Sequence, residues 1–374
     1  MNVIQSIIGV LLVANATSLG WGLRGEWGHW WGATVPGALC GMTLWLAFGS
    51  GGSVWQLMIY GSLMGLAMSL GGVLSYGLIV GYSTGEPGRD QRSTTFGLMG
   101  LFLVGGLWGF FGGTALGLLL TENSYELGDL ALWALLASIG AFLTYKLLVV
   151  GLDLHLSPPR SDAWAAVLGG ALGTLCFFSL GTGDLTVAST ALVGWLGFGG
   201  GFSLGALIHR KGNEIGWNFS SWKFMEHSVG FFGGLALGTF VAWRGEGLPV
   251  RAFSDPACPL FSMVVFWFIT YMVLANNVEH WTKDLGWLSR RGLVIFHIGS
   301  LVSLPVFVYI GNIAAIGGDA PGGQMLVFIA LMLIYTLIGT AKFVNKWSTI
   351  RSRVVATFAI QFILCLVLSL ALII

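Results

Sequence analysis

Twelve apolar stretches, each near or above the roughly 20 residues that an α-helix needs to cross a bilayer, dominate this chain. They fall at 3–20, 31–50, 55–82, 94–120, 130–151, 163–181, 186–208, 226–243, 258–275, 292–315, 324–343 and 354–373. The runs are too long for strands and lack the period-two alternation of a membrane barrel. Of 374 residues, 55% are hydrophobic and only 9% charged. A soluble domain carries about a quarter charged residues, so this chain cannot cover itself with a water-compatible surface. The third and fourth stretches are long enough to tilt or break. The first lacks a basic leader and runs into Trp21 and Arg24, not a small-residue cleavage site, so it reads as a span rather than a removable signal.

Lysine and arginine sort by side. Numbering the connections between spans from one to eleven, the odd ones hold 15 of the 17 basic residues, and the even ones only Arg244 and Arg251. Acidic residues divide nine to seven and show no such bias. Cytoplasmic loops are enriched in Lys and Arg without being depleted in Asp and Glu. The odd connections are therefore expected in the cytoplasm and both termini outside, in what reads as a bacterial inner membrane.

The basic residues also keep a period. Arg24, Arg92 and Arg160 are spaced by 68 residues, each just before an even-numbered span. Gly37, Gly105 and Gly173 follow them by thirteen residues, and Gly41 and Gly109 follow the first two by seventeen. A looser fourth copy, "WKFMEHSVGFFGGLALG", sets Lys223, Glu226 and His227 before Gly230, Gly234 and Gly238. The expected fold is an all-α polytopic integral membrane protein of about twelve transmembrane helices. Its first two thirds, 1–243, read as four tandem parallel helical hairpins with a period of about 68 residues; 258–374 reads as two further hairpins in the same membrane domain. Glycines four apart bare one stripe of a helix so that backbones can approach.

The segment "GWGLRGEWGHWWGATVPGALCG" (20–41) is the least comfortable in lipid. Arg24, Glu26 and His29 stand among Trp21, Trp27, Trp30 and Trp31. The charge bias alone accounts for Arg24, and the tryptophans suit interfacial anchors. However, "RGEWGH", "SPPRSDAW" and "WKFMEH" each follow a base with an acid two or three residues later. One reading makes these pairs clips at the hairpin turns, with Asp162 and Glu226 near helix N-termini, where the dipole favours an acid. The other makes Arg24, Arg92, Arg160 and Lys223 a ring of cations that contacts an anion, as basic rings do in anion pores. On that reading Glu26, His29, Asp162, Glu226 and His227 complete the substrate contacts, and the histidines couple them to protons.

Other features exclude more than they assign. Cys40, Cys176, Cys258 and Cys365 are scattered apolar fillers, and the net charge of +1 gives no reason to expect nucleic acid. "TGEPGRDQRSTTFG" is not a phosphate-binding loop, since GxxxxGK[ST] is absent. Glu279 with His280, and Asp153 with His155, lack a nucleophile or third ligand, so no metal or cofactor is expected. The leading expectation is a transporter or channel for a small polar or anionic solute. Second comes a non-catalytic scaffold or complex subunit that uses glycine faces for packing, as a homo-oligomer or with another membrane protein. An integral-membrane enzyme is third. The bilayer is a partner in all three.

The charge bias makes a direct prediction. A reporter that is active only in the cytoplasm, fused after Ile374, is expected to stay silent; a bright signal would mean an odd or inverted span count.

Overall fold

With no water in the hydrocarbon, backbone N–H and C=O groups must bond within their own segment, and every named element among the described residues is a helix. The computed structural model describes residues 2–27, 33–49, 51, 53–85, 94–158, 162–250, 257–316, 321–343 and 348–373. The helices are α1 (Val3–Trp27), α2 (Thr34–Phe48), α3 (Val54–Ser69), α4 (Gly77–Thr84), α5 (Thr94–Leu120), α6 (Leu127–Tyr145) and α7 (Ala163–Cys176). They continue with α8 (Leu185–Glu214), α9 (Ser221–Arg244), α10 (Ala257–Leu285), α11 (Arg290–Ile316), α12 (Pro321–Ala341) and α13 (Thr349–Ile373).

Each of the twelve apolar stretches overlaps a helix among the described residues, and ten helical segments there are long and apolar enough to cross a membrane. The chain is an integral membrane protein. Two stretches fall short of that standard. The 15 residues of α2 reach about 22 Å, less than the hydrocarbon thickness. The first turns of α9 carry Lys223, Glu226 and His227, which lower its apolarity.

The two long stretches behave differently. Residues 94–120 form one unbroken helix. Residues 55–82 break: α3 tightens into a 3₁₀ turn at Leu70–Val73, residues 74–76 are non-helical, and α4 resumes at Gly77. The sequence there is "SLGGVLSYG", with glycines that weaken a helix. The indole of Trp108 fills the space where a side chain at Gly71 would stand. The break places Tyr76 inside the bundle, 5% exposed.

The helices close a ring in the order α1, α2, α3, α5, α8, α9 and back to α1, with α4 lodged against α5 and α8. The hairpin of α6 and α7 stays outside this ring. Its two helices pack on each other, reach the ring through α5 and α8, and leave α6 with no buried residue. Three of the four N-terminal hairpins therefore supply the ring. α10 lies on α3, α13 on α1, and α12 packs on α10 and α13. Polar ties across the hydrocarbon hold this second group. Asn15 donates to the Gln361 carbonyl (2.9 Å), Trp45 to Gln324 (2.9 Å), and Ser62 meets Ser262 at 3.1 Å.

The glycines of the 68-residue pattern lie on the contact faces. Gly41 packs on the backbone of Tyr60, Gly109 on Gly194, Gly173 on Leu136, and Gly230 on Thr17. At the α5–α8 crossing a Cβ on either Gly109 or Gly194 would collide with the carbonyl oxygen of the other. Such contact gains dispersion energy between backbones, the main attraction left between helices in lipid.

Gly109→Ala is therefore expected to destabilise the protein by about 1–3 kcal/mol through overpacking. Gly128→Ala, at a position with open space around it, should be neutral or gain up to about 1 kcal/mol in helix propensity. Thermal unfolding in detergent compares the two, and equal melting temperatures would contradict the close approach.

Candidate functional site

The stripe of α1 that faces α9 is bare at Gly22 and Gly25, three residues apart and so on one helix face. Into these gaps go the His227 ring and the Glu226 carboxylate, both from α9. A Cβ at Gly22 would overlap the imidazole, and one at Gly25 the carboxylate. The glycines of "GWGLRGEW" thus make room for the acid and histidine of "WKFMEH".

Lys223 is at the centre. Its ammonium reaches Glu26 Oε1 at 2.5 Å, Glu226 Oε2 at 2.7 Å and the Gly22 carbonyl oxygen at 3.2 Å. An ammonium has three hydrogens to donate, and three acceptors meet it. Glu226 Oε1 accepts from the Trp222 indole (3.0 Å) and from the Tyr76 hydroxyl (3.4 Å). Tyr76 in turn accepts from Arg24 Nη1 at 3.0 Å. A continuous relay, Arg24–Tyr76–Glu226–Lys223–Glu26, therefore joins α1, the break before α4, and α9. Lys342 adds a bond to the Glu26 carbonyl.

Arg24 is 1% exposed. Its guanidinium carbon lies 4.9 Å from the ring centroid of Trp108, 5.2 Å from Tyr76 and 5.3 Å from Trp21. Three aromatic faces thus substitute for water around the cation. Phe198 and Phe202 extend the aromatic cluster and, with Trp21 and Trp108, fill the middle of the helix ring.

Of the residues singled out in the sequence, Arg24, Glu26, Lys223, Glu226 and His227 come together. His29, Arg92 and Arg160 lie outside the described residues. Asp162 goes elsewhere: it bonds His155 Nδ1 at 2.6 Å and the Trp164 indole at 3.2 Å. The hydrogen bonds that His155 donates to Asp162 and to Asp153 raise its pKa above the ordinary value.

Three local expectations need correction. α1 does not end near residue 20 but runs through Trp27, so Arg24 and Glu26 are two apart on a helix and cannot face each other. Glu26 instead pairs with Lys223, from another helix. Asp162 and Glu226 do lie near the N-termini of α7 and α9, but neither caps with its side chain: Asp162 is at the N-cap of α7 without a capping bond, and α9 is capped by Ser220. Finally, Arg24 and Lys223 do not stand at an open mouth. Both are enclosed, and two carboxylates balance their charges.

The turn at 121–125 is organised around Asp184. This carboxylate accepts from Thr121 and Tyr125 (each 2.5 Å), from Asn123 (2.9 Å), and from two backbone N–H groups that open α8. Burial pushes its pKa up, but the bonds from Thr121, Tyr125, Val187 and Asn123 outweigh burial and hold it below the usual value. Burial, then Asp184 itself, pushes Tyr125 up to about 12. Among the described residues no group of three or more His, Cys, Asp or Glu is placed to hold a metal ion.

Breaking a buried ion pair by removing one partner costs about 3–5 kcal/mol, because the other charge is left uncompensated. Lys223→Met is expected to fall in or above that range, and Lys223→Met with Glu26→Gln and Glu226→Gln to recover most of the loss. The exposed Arg210–Glu214 pair is the control, worth about 0–1 kcal/mol. Denaturant titration in detergent checks the order; a Lys223 effect no larger than that of the control would contradict the buried relay.

Comparison of the chain with protein-family models, with curated protein sequences and with solved structures finds no match.

Proposed function

We propose that this protein moves a small polar solute across the bilayer of a bacterial inner membrane, and that the relay from Arg24 to Glu26 closes the path. The observation that carries the reading is the broken helix. Non-helical backbone at membrane depth is tolerated where it is buried in protein or lines a cavity, and discontinuous helices of this kind form the solute sites of many transporters. Here the break delivers Tyr76 into a buried, charge-balanced cluster, where ionisable groups are functional candidates by default. The aromatic plug around Trp21 and Trp108 fits a closed conformation. Opening requires Tyr76 to leave either Arg24 or Glu226, and a solute with its own polar groups substitutes for the lost partner. In this reading Arg24, Glu26, Lys223, Glu226 and His227 contact the solute.

The filled ring also favours a second reading: a scaffold whose glycine-packed helices hold a partner and conduct nothing. Swelling of proteoliposomes distinguishes the two. Vesicles challenged with glycerol, urea, methylammonium chloride or sodium acetate are followed by stopped-flow light scattering. At least one solute is expected to enter faster than in protein-free vesicles. Tyr76→Phe, which keeps the ring but removes the relay hydroxyl, should change that rate about tenfold, the equivalent of about 1.4 kcal/mol. Rates equal to those of empty vesicles for all four solutes would favour the scaffold.

A further inference from the structure

Where the α6–α7 hairpin stands beside the ring, residues of α3, α5, α6 and α7, with Leu70 just after α3, line a cleft of about 590 Å³. Apart from Thr114, Trp133 and Thr174, the lining is leucine, alanine, phenylalanine and glycine. Those three have already given their hydrogens. Thr114 donates to the Phe110 carbonyl (2.8 Å), Thr174 to the Gly170 carbonyl (2.9 Å), and the Trp133 indole to the Thr174 hydroxyl (2.9 Å). All the lining residues lie on helical turns, whose backbone groups bond to one another. A polar solute would give up its water here and find no donor to replace it.

The cleft is open to the bilayer. Leu70, 59% exposed, and the exposed Ala134 belong to its lining, so it is continuous with the surface that meets lipid. Along α5 it runs from Phe111 to Leu118, about 10 Å. Two turns of helix have the same length but fill about 800–1,200 Å³, so a helix of a second copy or of another protein is too thick for it. A methylene is about as bulky as a water, whose share of liquid volume is about 30 Å³. The cleft therefore has room for up to about 20 methylenes. One wall is held in place by Trp133, whose ring centroid lies 5.1 Å from that of Phe178. Protein interiors seldom leave so large a void unfilled.

We propose that this cleft holds the acyl tails of one bilayer phospholipid, which fill the gap between α3 and the hairpin and so fasten α6 and α7 to the ring. Hydrocarbon brings neither donor nor acceptor, as the spent lining requires, and it gains dispersion contacts with the leucines and alanines. The tails make the contact, so binding does not depend on the headgroup. Such a site, shared with the peripheral hairpin, serves a transporter or a scaffold alike, and its test does not read flux.

Full-length protein is reconstituted in phosphatidylcholine vesicles that carry a trace of the same lipid with a photoactivatable diazirine midway along one tail. After illumination, adducts are mapped by peptide mass spectrometry. They are expected on Thr114 and Ala115 in the cleft, as well as on the exposed Leu301 and Val302 of α11. Thr114 is 4% exposed, so only lipid inside the cleft reaches it. Ala115→Phe and Ala137→Phe each put a ring into the space. Displacing about two methylenes is enough to cut the cleft adducts about tenfold, and those on α11 should not change. Exchanging the bulk lipid for phosphatidylglycerol with the same tails should leave both sets as they were. Absence of adducts on Thr114 and Ala115 in folded wild-type protein would mean that the hairpin closes the cleft or that protein fills it, and would overturn the proposal. So would undiminished cleft adducts in a folded filled variant, or their loss on the change of headgroup. Size-exclusion profiles show which variants are folded; should neither fold, the wild-type adducts and the headgroup exchange decide.

Discussion

One ammonium group holds the core of this membrane protein together. The Lys223 side chain is mostly buried, and three oxygens from α1 and α9 lie within hydrogen-bond reach of its ammonium. The contact demands that the two helices approach more closely than side chains on both would allow, and Gly22 and Gly25 permit it. Once α9 is seated on α1, Glu226 faces the break in the third apolar stretch and Tyr76 can bridge to Arg24. Ring closure, the kink before α4 and the enclosure of Arg24 are thus parts of one arrangement.

The two kinds of packing in the bundle divide the labour. Along most crossings glycine faces backbone and the attraction is dispersion, which is strong in sum but indifferent to small sliding motions. At the relay the attraction is ionic and directional, and it tolerates no slippage without leaving a charge unpaired. The glycine crossings make the ring compact, whereas the relay fixes its register at one end. The Asp184 network does the corresponding work at the other end, tying the 121–125 turn to the start of α8.

Much of this was legible in the chain. Apolar runs and base-to-acid spacing pointed to the helices and to Lys223, Glu226 and His227, because both follow from local periodicity. The glycine pattern pointed to the contact faces for the same reason. What stayed hidden depends on distant partners. That α1 continues through Trp27 could not be read from "GWGLRGEW", whose charges look like a loop until Lys223 and Tyr76 are there to receive them. Tyr76 itself gave only the weak signal of the glycines around it in "SLGGVLSYG". Gln361 sits in an ordinary-looking apolar helix, and its bond to Ser18, at the other end of the chain, leaves no mark on the local sequence. The peripheral place of α6 and α7 was likewise invisible, since their glycines pair with each other as readily as those of the ring helices do with their neighbours.

The position of Lys223 in the chain also bears on how the protein is made. Glu26 and Arg24 are synthesised at the end of the first span, and the counter-ion of Glu26 follows roughly two hundred residues later. Until then Glu26, in the last turn of α1, has no Lys223 to pair with. The ion pair thus ties the first helix of the chain to the ninth, and a chain that ended before residue 223 would lack the contact that closes the ring between α1 and α9.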